Sequence, residues 1–254
     1  MIFETHAHYD DKAFYEDKSE VLKALEAGGI RRVVNIGSSF NSCKDTLKLM
    51  EEYPFIYGAL GIHPSDTAEM DDTVLSWIEK ESRHEKCVAV GEIGLDYYWP
   101  EPDKEVQKKW FIRQLELARK LNLPVVIHSR NAAMETIEIM KECQAEEIGG
   151  VIHCFSYSKE IAKIFLDMGF YIGIGGVITF KNAKKLKEAV SYIPMDRIVV
   201  ETDSPYLAPE PNRGKRNNSL NLPYVIEAIS HIKQISPAQV EEATWNNGNR
   251  LYRI

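Results

Sequence analysis

A (β/α)8 barrel in a single domain is the fold that this sequence predicts. Short apolar, β-branched runs alternate with segments of helical period eight times along 254 residues. No Pro/Gly/Ser-rich linker interrupts the alternation, so residues 1–254 read as one unit. Ionisable residues recur where the apolar runs end, and in barrels of this kind the active site sits at the C-terminal ends of the strands. A doubly wound open sheet is the competing arrangement, which the evenness of the eight units disfavours. Nucleotide-cofactor loops are missing too: no GxGxxG follows the first strand, and no GxxxxGK precedes a Ser or Thr.

Residues 2–6 form the first predicted strand and lead into Ala7-His8-Tyr9-Asp10. Residues 19–27 set Val21, Leu22 and Leu25 against Glu20, Lys23 and Glu26 with helical period, and Gly28-Gly29 is a helix-stop signal. The second strand is 32–37, followed by a helix over 41–53 with Leu47, Leu49 and Met50 as its apolar face. A third strand, 55–61, runs into Ile62-His63-Pro64, and a helix covers 72–81. The fourth strand, 87–91, delivers Glu92 between two glycines, Gly91 and Gly94. A buried carboxylate there is costly without a partner, and the flanking glycines are expected to leave room for one.

The second half repeats the pattern. Helix 103–121 carries Trp110, Leu117, Ala118 and Leu121 on one face and stops at Asn122. Strands at 124–128, 150–153 and 170–174 alternate with helices at 132–141, 158–168 and 182–190, and the eighth strand is 198–203. A Pro/Gly/Arg loop, 204–220, precedes two closing helices, 223–232 and 237–246.

Composition narrows the function. Hydrophobic residues make up 44%, enough for a sizeable core, while a formal charge of -7 argues against holding nucleic acid by a bulk positive field. The four cysteines (Cys43, Cys87, Cys143, Cys154) are scattered without a CxxC and read as reduced thiols of an intracellular protein. No signal peptide and no apolar run approaching the ~18 residues of a membrane span is evident, so a cytoplasmic protein without membrane attachment is expected.

Five of the seven histidines fall at strand ends: His6, His8, His63, His128 and His153. Glu92, Glu201 and Asp203 fall there as well, whereas His84 and His231 lie on helices among polar neighbours. Alternation along a strand points His6 and His8 the same way, and His128 and His153 come from neighbouring strands. Together these groups exceed the roughly three protein ligands of one catalytic zinc. They suit two divalent cations about 3.5–4 Å apart with a shared carboxylate, and Glu92 is placed to be that bridge. Asp203 completes the first cation's ligands and can take a proton from the attacking water.

At these residues the chain resembles a known family. Thr5-His6-Ala7-His8, Gly61-Ile62-His63-Pro64, Gly91-Glu92-Ile93-Gly94-Leu95-Asp96-Tyr97, Ile127-His128-Ser129-Arg130, His153-Cys154-Phe155-Ser156 and Glu201-Thr202-Asp203-Ser204-Pro205-Tyr206-Leu207 are similar to the motifs of the TatD family of metal-dependent deoxyribonucleases, which are amidohydrolase-like barrels. The likeness runs the length of the chain, through Arg213-Gly214-Lys215-Arg216-Asn217 to Asn249-Arg250-Leu251-Tyr252. It implies a distorted TIM (β/α)8 barrel with one to three divalent cations. The implied ligands are His6, His8, Glu92, His128, His153 and Asp203, the set that the strand ends give. The implied activity is phosphodiester hydrolysis, often 3′ to 5′ on single-stranded DNA. Glu4, Ser65, Asn131 and Asn218-Ser219 depart from the family's usual residues, and none of them is a ligand.

Asp203, Glu92, Glu201 and His63 are therefore the catalytic candidates, with two cations (Zn, Mg or Mn) as cofactors. Arg130, Arg213 and Lys215 are candidate phosphate clamps, and His63 is placed to hydrogen-bond a phosphoryl oxygen. Tyr97, with Tyr98 and Trp99 beyond it, is a candidate for stacking on a terminal base. The expected partner is the 3′ end of DNA, held transiently by a monomer with no obligate protein partner. The alternative is a metal-dependent deacylase, lactonase or amidase, including one that deacylates aminoacyl-tRNA. Many relatives of that kind carry a Lys at the end of the fourth strand, where this chain has Glu92.

Overall fold

The structure, a computed structural model, describes residues 1–254. Eight parallel strands pair in sequence order: β1 (Ile2–Ala7), β2 (Ile30–Ile36), β3 (Ile56–Leu60), β4 (Cys87–Asp96), β5 (Val125–Arg130), β6 (Gly150–Ile152), β7 (Tyr171–Ile174) and β8 (Ile198–Val200). The ring closes at the β8–β1 seam through one bridge, Ala7 with Ser204. Two backbone bonds reinforce it, from His8 N–H to the Ser204 carbonyl (2.8 Å) and from Asp203 N–H to the His6 carbonyl (3.0 Å). This is the expected barrel, distorted at its seam.

The outer helices are α1 (Lys18–Ala27), α2 (Phe40–Glu52), α3 (Asp72–Glu81), α4 (Lys104–Leu121), α5 (Ala133–Glu142), α6 (Lys159–Asp167), α7 (Lys184–Tyr192), α8 (Leu222–Lys233) and α9 (Pro237–Tyr252). Local chemistry sets several of their ends. Ser39, Asp71 and Asp103 accept a backbone N–H in the first turns of α2, α3 and α4, and Ser236 with Gln239 forms a capping box on α9. Asn122 stops α4 in the left-handed conformation (φ 54°), which Asn tolerates better than most residues. None of these helices is long and apolar enough to cross a membrane.

One buried cluster joins Phe3, Val34, Ala59, Val88, Val126, Val151 and Val199. It draws on seven of the eight strands, as only side chains in the barrel lumen can. Leu251 and Tyr252 of α9 pack against it, near the starts of the strands. That leaves the opposite end of the lumen, where the strands finish, for polar groups.

Three features differ from the sequence expectation, and each bears on the site. First, β4 continues to Asp96, so Glu92 lies inside the strand and not past its end. Gly91 pairs with Val126 and Ile93 with Ile127, which leaves Glu92 as the unpaired residue of a bulge. Bulges re-aim a side chain, and they are over-represented beside active sites. Second, the glycines around Glu92 serve the backbone and not a cation. A Cβ on Gly91 would lie 2.6 Å from Val126 Cβ, and one on Gly94 only 1.9 Å from the His128 carbonyl oxygen. They let β5 draw close to β4. Third, β8 ends at Val200, and Asp203 sits beyond it in the left-handed conformation (φ 56°).

Candidate metal centre

The two carboxylate oxygens of Glu92 divide the strand-end histidines into two sets. Oε1 lies 2.5 Å from His153 Nε2 and 2.7 Å from His128 Nδ1. Oε2 lies 3.4 Å from His6 Nε2 and 3.8 Å from His8 Nε2. Asp203 Oδ1 faces the second pair, 3.4 Å from His8 Nε2 and 3.6 Å from His6 Nε2. The rings of His6 and His153 stack face to face, with centroids 3.9 Å apart and planes 9° from parallel, so the two sets adjoin.

Outer contacts decide which nitrogen each ring presents. His8 Nδ1 is 2.9 Å from the Ile36 carbonyl, an acceptor only, so Nδ1 carries a proton and Nε2 is the nitrogen turned inward. His128 is reversed: Nε2 is 3.0 Å from Asp96 Oδ2, and Nδ1 faces Glu92 and His153. Asp96 is fixed in turn by the Tyr98 N–H on Oδ1 (2.8 Å). His63 Nδ1 accepts the Ser65 N–H (3.1 Å), which leaves Nε2–H as a donor 3.8 Å from Glu92 Oε1. The turn after β1 is held by Asn35, which accepts the Tyr9 N–H (2.6 Å) and donates to Asp10 (2.8 Å) and Thr46 (2.8 Å).

This donor set asks for positive charge. Burial works to raise Glu92, yet the charges of His153 and His6 and hydrogen bonds from His128 and His153 hold it well below the usual carboxylate range. Asp203 is lowered against its burial in the same way, by His8 first. Burial works to lower His8 and His128, but Asp203 and Glu92 carry His8 up to about 10, and Asp96 and Glu92 carry His128 up to about 9. Burial and the neighbouring His153 push His6 down to about 4, and burial with His128 pushes His63 down to about 3. Without cations, protons on His8 and His128 balance the carboxylates. The Nε2 atoms of His6 and His8 are only 3.2 Å apart, and His128 Nδ1 and His153 Nε2 only 3.1 Å. Two imidazole nitrogens that close, backed by ionised carboxylates, suit a shared divalent cation that would replace those protons, and mixed imidazole and carboxylate donors suit Zn, Mn, Fe or Mg.

Comparison with known proteins agrees with that chemistry. The family model described as TatD related DNase matches residues 3–253. The chain belongs to that family. YabD, an uncharacterized metal-dependent hydrolase of Bacillus subtilis (strain 168), is 43% identical over 254 residues and the match covers 100% of both chains. YcfH of Escherichia coli (strain K12), also an uncharacterized metal-dependent hydrolase, is 34% identical over 260 residues, covering 100% of this chain and 96% of YcfH. The crystal structure of YjjV, the TatD homolog from E. coli K12, superposes with a TM-score of 0.94 at 29% identity, covering 100% of this chain and 98% of that one.

In this TatD-family barrel the six residues expected as ligands, His6, His8, Glu92, His128, His153 and Asp203, converge on one end of the lumen with His63 beside them. Glu201 is buried on the other side of His153: Oε1 accepts the Cys154 N–H and lies 3.8 Å from His153 Nδ1, while burial pushes its carboxyl up to about 8. Arg130 follows His128 on β5 with its guanidinium 3.8 Å over the exposed Tyr98 ring. Tyr97 is held elsewhere, its hydroxyl donating to Glu135 Oε2 (2.9 Å) under Lys104 Nζ. Arg213 stacks on Phe180 at 4.3 Å and Lys215 is exposed without an ion pair, whereas Arg216 pairs with Asp17 and pins their loop. Sequence reasoning missed Asn35 and the role of Asp96 in orienting His128. Asp96 stands four residues after Glu92 in the same apolar strand, and that was the available signal.

Proposed function

We propose that this chain is a metal-dependent hydrolase that removes nucleotides from the 3′ end of single-stranded DNA and works in the cytosol, where four unpaired cysteines are at home. The observation that carries the reading is the division of Glu92: one oxygen toward His128 and His153, the other toward His6 and His8. Such a shared carboxylate is what a two-cation phosphodiesterase needs. His6, His8, Asp203 and Glu92 would hold one divalent cation, and His128, His153 and Glu92 the other. When bound, the cations acidify water and neutralise charge on the attacking and leaving oxygens.

The chain's own groups do the rest. Asp203, the most open carboxylate of the cluster with its side chain 17% exposed, receives the proton as a water oxygen bonds to phosphorus. The P–O3′ bond breaks, and the shortened strand keeps its 3′ oxygen, which takes up a proton. His63 Nε2–H donates to a phosphoryl oxygen, and Arg130 screens the phosphate charge from the rim.

The test is a panel of 3′-end-labelled single-stranded DNA, duplex DNA, RNA and small lactones, each with Mg²⁺, Mn²⁺ or Zn²⁺. Release of mononucleotides from single-stranded DNA is the expected result. Turnover of lactones or aminoacyl esters with no nucleotide release would replace this reading with a carbonyl-directed hydrolase.

A further inference from the structure

All four ligand histidines need an acceptor for the nitrogen that faces away from Glu92 or Asp203, and only two of them have one. His8 uses the Ile36 carbonyl and His128 uses Asp96. His6 Nδ1 and His153 Nδ1 are buried without a hydrogen-bond partner, and so is Glu201 Oε2. A nitrogen of His6, a nitrogen of His153 and a carboxylate oxygen of Glu201 lie within 4.8 Å of one another. Because His6 and His153 are stacked and nearly parallel, the face-to-face pair presents both Nε2 atoms to Glu92.

We infer that Glu201 is the positioning residue for this pair, the acceptor that His153 Nδ1–H turns to when Nε2 holds a cation, with the stacked His6 ring held in line beside it. The inference rests on the cation centre proposed above, though not on its substrate. Glu201 Oε1 already accepts the Cys154 N–H and keeps a second lone pair 3.8 Å from His153 Nδ1. The fold reserves space for this carboxylate: a Cβ on Gly173 of β7 would lie 2.3 Å from Glu201 Oε2. The same three residues do not make a further cation site. A neutral imidazole has one lone pair, and a cation held beside Glu92 would take it from both rings. Metal-bound histidines commonly give their other N–H to a carboxylate, which sets ring orientation and raises basicity.

Two measurements test this, and neither needs DNA. In Zn²⁺-loaded, histidine-labelled protein the His153 Nδ1–H is expected as a slowly exchanging resonance in long-range ¹H–¹⁵N correlation. Glu201→Leu should speed its exchange with solvent. Competition titration with Zn²⁺ should find affinity about 10–100-fold lower in Glu201→Leu, with the isosteric Glu201→Gln recovering part of the loss. The number of cations bound stays the same. Unchanged exchange of the His153 Nδ1–H in Glu201→Leu, wild-type affinity in Glu201→Leu, or loss of one whole equivalent of metal in Glu201→Gln would each overturn the inference. Failure of the nuclease reading would appear separately, as intact metal binding with no nucleotide release.

Discussion

Asp96 Oδ2 lies 3.0 Å from His128 Nε2, so the carboxylate that ends β4 orients the histidine in the middle of β5. The same contact leaves His128 Nδ1 facing Glu92 at 2.7 Å. Removing an outer partner of this kind typically costs 10–100-fold in metal affinity. Asp96→Ala is therefore expected to bind Zn²⁺ about 10–100-fold more weakly by competition titration, with the fold intact by circular dichroism.

Asp203 is the proposed proton acceptor and also faces His6 and His8. Asp203→Asn keeps an oxygen of similar size but cannot take the proton. Its kcat on single-stranded DNA should fall by about 10²–10⁴, the usual contribution of a general base. KM should move much less, which separates a lost chemical step from lost substrate binding.

Gly94 tests the backbone packing that brings β4 against β5. Its φ is 146°, and an added Cβ would press 1.9 Å from the His128 carbonyl oxygen. Gly94→Ala must move that strand segment or fail to close the contact. A loss of about 1–3 kcal/mol in urea denaturation is expected from overpacking, and more if backbone strain adds to it. Metal affinity should fall with it, since His128 is the residue displaced.

Arg130 stands at the rim with its guanidinium over Tyr98 and no carboxylate partner. Arg130→Ala should raise KM for single-stranded DNA several-fold and lower the salt dependence of binding by about one unit of slope, as expected for one lost phosphate contact. Metal content should be unchanged. If KM and salt slope are both unaltered, Arg130 is not a phosphate contact.

Much of this was legible in the sequence because a barrel repeats one unit whose periodicity and stop signals are local. The run from Val88 to Gly91 and the five strand-end histidines are visible without knowing any partner. The Glu92 bulge is not, because register depends on how β4 meets β5, and one extra residue on one strand leaves no mark in either pattern. The end of α9 was hidden for a related reason. Asn246-Asn247-Gly248 reads as a helix stop, but the helix runs on to Tyr252. A Cβ on Gly248 would lie 2.6 Å from the Phe3 ring, so this glycine permits close packing on β1 instead of ending a helix. Asn247 donates to the carbonyls of Met195 and Ile198 from within the helix.

Metal analysis of purified protein, combined with anomalous scattering from crystals of the Mn²⁺ or Zn²⁺ form, decides whether Glu92 bridges two cations. Two strong peaks are expected, one among His6, His8 and Asp203 and one between His128 and His153, both touching Glu92, with loss of both metal and activity in Glu92→Ala. A single peak that Glu92 does not touch, or full metal content and activity in Glu92→Ala, would contradict that bridging role.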